Sequence, residues 1–240
     1  PWRTSWTLAF PRVLAPTSRS SNAPTTSIAA AYRTRPRTGE RRFRHHVGMA
    51  KPFRPEIRIS IDVEASGPSP GTGSLLSIGA CLVDDLDASF YRELQPIPDL
   101  PWDRSAERIH GLSRTRLAEQ GLAPEAAMVD FVGWIAEVAP EGTVPVFVGF
   151  NAPFDWMFIA DYLHRFVGRN PFGYAAIDLK AVYLGKHGVA RWAETTKEHV
   201  RARHPVALPH THNALDDARF QAMLARQLLE RAPSPSVEPG

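Results

Sequence analysis

Asp62 and Glu64 lie two residues apart at the end of an apolar, β-branched run, residues 57–63, so in a strand both carboxylates leave the same face of a sheet. Two like charges on a face that should be buried repel each other and lose hydration unless a cation or a strong donor compensates them. The bland alternative is a frayed strand end in water. Asp155 follows a second apolar run, in the segment Gly149, Phe150, Asn151, Ala152, Pro153, Phe154, Asp155. Asn151 suits an N-cap and Pro153 a first helical turn, which puts Asp155 near a helix start on the stripe of Ile159, Tyr162 and Phe166. An acid in a first turn also complements the helix dipole, so a structural role competes with ligation there. In the segment His212, Asn213, Ala214, Leu215, Asp216, Asp217, helical phase separates two aspartates. Asp217 continues to Phe220, Leu224 and Leu228, the core stripe, whereas Asp216 leads to Arg219 and reads as a solvated acid paired with it. His212 falls in the loop before that helix, free to face the same centre. The four inward carboxylates are an oxygen-only donor set, which selects Mg²⁺ or Mn²⁺ over zinc.

The elements that must position these groups are legible from hydrophobic periodicity. Residues 57–63, 75–83 and 89–95 read as strands joined by short loops, which favours an antiparallel meander. The period then changes: Ala127, Phe131, Trp134, Ile135 and Val138 recur at helical spacing within residues 124–138. A wholly apolar run, residues 144–150, suits a buried strand, and residues 153–167 and 214–229 are amphipathic helices. Three strands followed by alternating helix and strand predict an α/β domain, a mixed sheet flanked by helices. That domain spans residues 56–231, with a short Pro and Ser tail over 232–240 and no internal repeat.

Composition sets the outer limits. A chain of 240 residues that is 43% hydrophobic and 22% charged is globular, neither collagen-like, nor coiled-coil, nor wholly disordered. Its single cysteine, Cys81, excludes an internal disulfide and a thiolate metal cluster, and its apolar surroundings predict a buried, inert thiol. Without a stretch of about 18 apolar residues, nothing is expected to span a membrane, and a cytoplasmic location is expected. The formal charge of +3 is unevenly spread: residues 1–55 hold 11 basic residues and one acid, whereas residues 56–240 hold 17 basic and 24 acidic residues. The basic segment, 1–55, lacks periodicity and reads as a disordered extension. Three origins stay open for it: sequence ahead of a natural start at Met49, an organellar transit peptide, and a basic nucleic-acid arm.

Paired divalent ions roughly 4 Å apart are the usual clamp for in-line displacement at a phosphodiester. Asp-Val-Glu at 62–64, Asn-Ala-Pro-Phe-Asp at 151–155 and His-Asn-Ala-Leu-Asp-Asp at 212–217 resemble, in order and spacing, the three motifs of the DEDDh 3'-5' exonuclease family. That family includes proofreading exonuclease subunits, ribonuclease T and oligoribonuclease. Ile109, His110 and Gly111 are similar to the family's segment after the third strand. The resemblance implies a ribonuclease H-like mixed five-stranded sheet flanked by helices. It also implies two Mg²⁺ ions, replaceable by Mn²⁺, held by Asp62, Glu64, Asp155 and Asp217, with Asp62 bridging and His212 as general base. An imidazole of intrinsic pKa near 6.5 can take a proton from water at neutral pH. The implied partner is the 3' end of single-stranded DNA or RNA, degraded to nucleoside 5'-monophosphates. A nucleic-acid-binding adaptor with the same fold and no catalysis is the alternative, and the complete set of four acids and His212 stands against it.

Ala65, Ser66, Gly67, Asn151 and Phe154 are the candidates for gripping that strand. The Gly/Ser/Pro segment 65–73 would let backbone amides approach the terminal sugar, and Phe150 and Phe154 could stack bases, although core packing is the preferred role for both rings. Arg191, Lys197, Arg201 and Arg203 read either as the strand's path or as a solvated basic face. Asp178, at the start of a short helix, reads as a helix cap or as an acid supporting the metal ligands from behind, with the cap preferred. These residues leave open whether the domain works alone, as a homodimer or attached to a polymerase.

Overall fold

The computed structural model describes residues 53–208 and 211–230. The expectations for residues 1–52 and 232–240 lie outside these residues. Five strands form one sheet in the order β3-β2-β1-β4-β5: β1 (Glu56–Ala65), β2 (Leu75–Leu82), β3 (Ser89–Glu93), β4 (Val144–Gly149) and β5 (Ala176–Asp178). The first three make the expected antiparallel meander, and β4 and β5 add on in parallel beyond β1. Seven α-helices accompany them among the described residues: α1 (Arg104–His110), α2 (Arg114–Gln120), α3 (Pro124–Val138), α4 (Ala152–Tyr162), α5 (Leu179–His187), α6 (Lys197–Arg203) and α7 (Ala214–Leu229). The helix expected over residues 153–167 is shorter, because α4 passes into a π turn, Leu163–Val167, that ends at the left-handed Gly168.

Each face of the sheet has its own core. Odd-numbered β1 residues, Ile59, Ile61 and Val63, pack with Phe131 of α3 and Phe158 and Tyr162 of α4. Even-numbered residues face α7: Ser60 donates its hydroxyl to the Ala218 carbonyl at 2.8 Å. Behind that face Cys81, Val148, Leu179, Phe220 and Leu224 form the second core. Burial pushes the Cys81 thiol up to about 12, as an inert structural cysteine requires.

The seating of α7 depends on one glycine. A Cβ placed on Gly79 would lie 2.1 Å from the Ala214 carbonyl carbon and 2.2 Å from the Leu215 nitrogen, so only glycine lets the first turn of α7 rest on β2. Gly79 is paired with Asp62 across β1 and β2. The helix that carries Asp217 is thereby pressed against the strand that carries Asp62.

Candidate active site

The site lies where β1, α4 and α7 begin or end together. Glu64, His212 and Asp217 offer ligand atoms within 4.8 Å of one another. Asp217 is buried, and its Oδ1 accepts from the Thr211 amide at 3.3 Å, so the loop closes over the start of the helix. Asn213 caps α7 by accepting from the Leu215 and Asp216 amides. Asp155 is also buried, on the apolar face the helical phase predicts, and its Oδ1 accepts from the Val63 amide at 3.0 Å, between the two acids of β1. Asp62 accepts a short hydrogen bond from Gln221 Nε2. The charges interact accordingly. Burial raises Asp62 from its ordinary value of 3.8 to about 7 and the charge of Asp217 adds to this, while Lys197 and the Gln221 hydrogen bond oppose it. Burial lifts Glu64 from 4.5 to about 9, with Asp62 and Asp217 contributing. Asp155 is likewise raised by burial and by Asp62, against its Val63 hydrogen bond and Lys197.

Two residues with left-handed backbone frame this cluster. Asn151 (φ 68°) opens α4 and His212 (φ 56°) precedes α7, and among the described residues they alone combine a side chain with positive φ. Such conformations cost about 1–3 kcal/mol and persist where the surroundings enforce them, commonly at functional sites. The left-handed turn also corrects one expectation. Asn151 stands at the cap position but makes no side-chain capping bond; Asp178, from the end of β5, accepts from the Asn151 and Ala152 amides at 3.0 and 3.2 Å. The same carboxylate caps α5 through Lys180, as expected of it, and so ties two helix starts together. A second expectation also fails. Arg219 donates to the Leu86 carbonyl and the Ser89 hydroxyl, and Asp216 takes the Thr211 hydroxyl, because α7 lies close enough to β2 and β3 for Arg219 to reach across them.

The strand-gripping candidates are placed unevenly. Ser66 is buried, with its amide on the Ser74 carbonyl, its hydroxyl on the Pro101 carbonyl and its carbonyl on the Asp103 amide. Gly67 packs against Gly73, where a Cβ would meet backbone at 2.5 Å, and Ala65 is buried at the end of β1. This loop is a braced wall whose Ser66 amide is already bonded. Phe150 is in the second core, Phe154 is half-buried against the first, and Asn151 is exposed. Ile109, His110 and Gly111 end α1, with Gly111 in the left-handed C-cap. Burial keeps the His110 imidazole below its ordinary value against the charge of Glu107, and His212 adds to the lowering.

Gln221 was not singled out from the sequence. It is fully buried, and its orientation follows from chemistry: the Phe150 amide can only donate, so Oε1 faces it at 2.9 Å and Nε2 must face Asp62. One side chain thus joins β1, the end of β4 and α7. Its position four residues after Asp217 on a buried stripe was the available signal, a polar residue where phase demands an apolar one.

No protein-family model matches the chain. It is 45% identical over 174 residues to the 3'-5' DNA exonuclease Cap18 of Escherichia coli, a span covering 71% of this chain and 90% of that protein. Its fold is similar to that of the nuclease domain of 3'hExo, a DEDDh family member bound to rAMP, with a TM-score of 0.59 at 13% identity over 75% of this chain and 94% of that one. The chain belongs to the DEDDh 3'-5' exonuclease family. Its mixed five-stranded sheet flanked by helices is the ribonuclease H-like fold of that family, and it is a 3'-5' exonuclease. The DEDDh fold also matches E. coli exonuclease I in complex with a dA16 oligonucleotide, with a TM-score of 0.58 at 14% identity over 72% of this chain and 41% of that one. A DEDDh fold implies a divalent metal, and the acidic cluster at Glu64, His212 and Asp217 is a candidate site for it. Among the described residues no helix is long and apolar enough to cross a membrane.

Proposed function

We propose that residues 56–231 form a cytoplasmic exonuclease domain that removes nucleotides from the 3' end of single-stranded DNA and releases nucleoside 5'-monophosphates. The observation that carries this is the convergence of Glu64, His212 and Asp217, with Asp62 and Asp155 coupled to them by charge, on a family fold. Identity to a DNA exonuclease at 45% supports DNA as the substrate.

The donor chemistry fits hard divalent ions. Carboxylates forced together by burial, with pKa values driven up toward neutrality and beyond, are stabilised by a cation that lets all of them ionise. Asp62, Glu64, Asp155 and Asp217 would hold two Mg²⁺ ions, with Mn²⁺ as a substitute. When bound, the pair supplies charge neutralisation at the phosphate and a lowered pKa for water. Asp155 and Asp62 each commit one oxygen to a fixed donor, Val63 or Gln221, and each keeps a second oxygen to offer a cation. His212 takes a proton on a ring nitrogen from the attacking water, whose oxygen bonds to phosphorus as the bond to the 3' oxygen breaks; that oxygen leaves with the bonding pair and is protonated by solvent water. The left-handed backbone at His212 aims its ring at the acids rather than along the helix. In this reading the Ser66 to Ser74 wall and the His110 segment would border the terminal nucleotide.

The test is digestion of a 5'-labelled single strand with Mg²⁺, beside a closed single-stranded circle. Stepwise shortening with mononucleotide products and an intact circle is the expected result; cutting of the circle, or no release with either Mg²⁺ or Mn²⁺, overturns the proposal.

A further inference from the structure

Positive charge in this domain is segregated. Residues 179–203 hold six Lys and Arg residues against two acids, whereas the rest of residues 56–240 holds 11 basic against 22 acidic residues. The segment comprises α5, a 3-10 turn (Trp192–Thr195) and α6. At its centre Trp192 is 50% exposed, and the Lys180 ammonium lies 4.6 Å from the centroid of its ring. That exposure is built. The Thr195 hydroxyl is buried and donates to the Trp192 carbonyl at 2.8 Å, and Arg191 pairs with Glu194 across the turn. Val200 anchors α6 in the second core, and His187 and His204 meet at 2.7 Å between the nitrogens, joining α5 to the end of α6. A large indole held half in water by a rigid turn, with the Lys180 ammonium beside it, offers a stacking platform.

The platform borders the acids. Lys180 follows Asp178, whose carboxylate holds the first amides of α4, the helix of Asp155. Lys197, the first residue of α6, lies 5.9 Å from the Phe150 ring centroid and acts on the charges of Asp62, Glu64 and Asp155. Lys180 therefore ties the Trp192 turn to the residue that caps α4, and Lys197 ties the start of α6 to the carboxylates.

Resting on the nuclease reading above, we propose that the Trp192 turn and these lysines form one strip that carries the single strand upstream of its 3' end, with Trp192 stacking one base and Lys180 and Lys197 contacting phosphates. Stacking on an indole is indifferent to base identity, so this grip depends on strand length and is independent of sequence.

The test uses the full chain and two substrates, thymidine 5'-monophosphate p-nitrophenyl ester, which has no upstream strand, and dT16. Binding of 5'-fluorescein-dT16 is followed by anisotropy in Ca²⁺ without Mg²⁺. Trp192→Ala is expected to weaken dT16 binding about 5- to 150-fold while leaving kcat/KM on the ester within about twofold, and Trp192→Phe, which keeps a stacking face, stays close to wild type. Lys180→Gln is expected to reduce the slope of log Kd against log salt by about 0.7, one phosphate contact on a single strand. Unchanged dT16 binding in Trp192→Ala overturns the proposal, and so does equal loss on both substrates, which would make the turn a prop for the catalytic centre. A wild-type protein that binds dT16 and cleaves neither substrate refutes the nuclease reading alone, because the binding arm tests the strip separately.

Discussion

Without metal, the site should be a source of instability, and Asp62→Asn tests this directly. The Asp62 carboxyl is raised from 3.8 to about 7, chiefly by burial and then by Asp217. A raised carboxyl pKa means that the folded chain binds the proton more tightly than the unfolded chain does. Stability then falls as pH rises between the two values, and the full cost is present above the folded value. At 1.36 kcal/mol per pH unit the rise corresponds to ~4 kcal/mol, and water reaching the half-buried side chain reduces it to ~2 kcal/mol. Asparagine keeps an oxygen to accept from Gln221 and carries no charge. In EDTA at pH 8 the variant should therefore be more stable than wild type by ~2 kcal/mol, a rise in Tm of about 4–8 °C for a domain of this size. At pH 5 the gain should shrink to less than half, because wild-type Asp62 is then protonated in the fold, and near pH 4 it should vanish as the unfolded carboxyl also protonates. Excess Mg²⁺ should reverse the order at pH 8, since at about 100 times Kd a ligand adds ~2.7 kcal/mol to the form that binds it. The assay is thermal unfolding at the three pH values with and without Mg²⁺, alongside exonuclease activity, which the variant should lose. A metal-free variant that melts at or below wild type at pH 8, or one whose advantage is the same at pH 5, would show that the cluster is not under electrostatic stress.

Gly79→Ala should cost about 3 kcal/mol in urea unfolding and most of the activity, because its methyl cannot coexist with the first turn of α7 at 2.1 Å; an unchanged midpoint would mean that α7 is not seated as described. His212→Ala should lower kcat about 10²- to 10⁴-fold while keeping the Mg²⁺-induced rise in Tm, and loss of that rise would identify the imidazole as a ligand rather than a base. Gln221→Met removes both buried hydrogen bonds, so calorimetric Mn²⁺ affinity should fall about tenfold. In an Asp62→Asn background the same change should have little further effect; an equal loss there would mean that Gln221 acts on the fold generally.

Long elements with strong periodicity were legible in the sequence. The bounds of α3 and α7 coincide with the apolar stripes, and phase correctly chose Asp217 over Asp216 for the interior. Short elements were not. β5 has three residues, too few for a pattern, and exists because β4 offers it a parallel partner at Gly149 and Asp178. α1 and α2 have seven residues each and bury at most one side chain, so their only sequence signals were the caps Asp103 and Ser113 with Gly111 and Gly121 after them. The Asn151 cap failed for a different reason. Local preference named the right residue type, but Asp178, far away in sequence, supplies the acceptor.

Gln221 and Lys197 show what spacing alone misses. Motifs reveal the acids because acids are rare on apolar faces, yet the groups that make such acids tolerable are ordinary residues recognisable only once the chain has folded. Gln221 compensates by donation and Lys197 by charge, and both act on Asp62 in the direction opposite to burial. The same division applies to the surface. A domain with an excess of acids can still hold a polyanion if its cations are concentrated in one strip and its carboxylates are occupied, and residues 179–203 supply that concentration next to the carboxylates that need it. Net charge is therefore the wrong quantity from which to judge nucleic-acid binding here. The deciding quantity is the distance over which the sign changes, from Lys180 and Lys197 to Asp62 and Glu64.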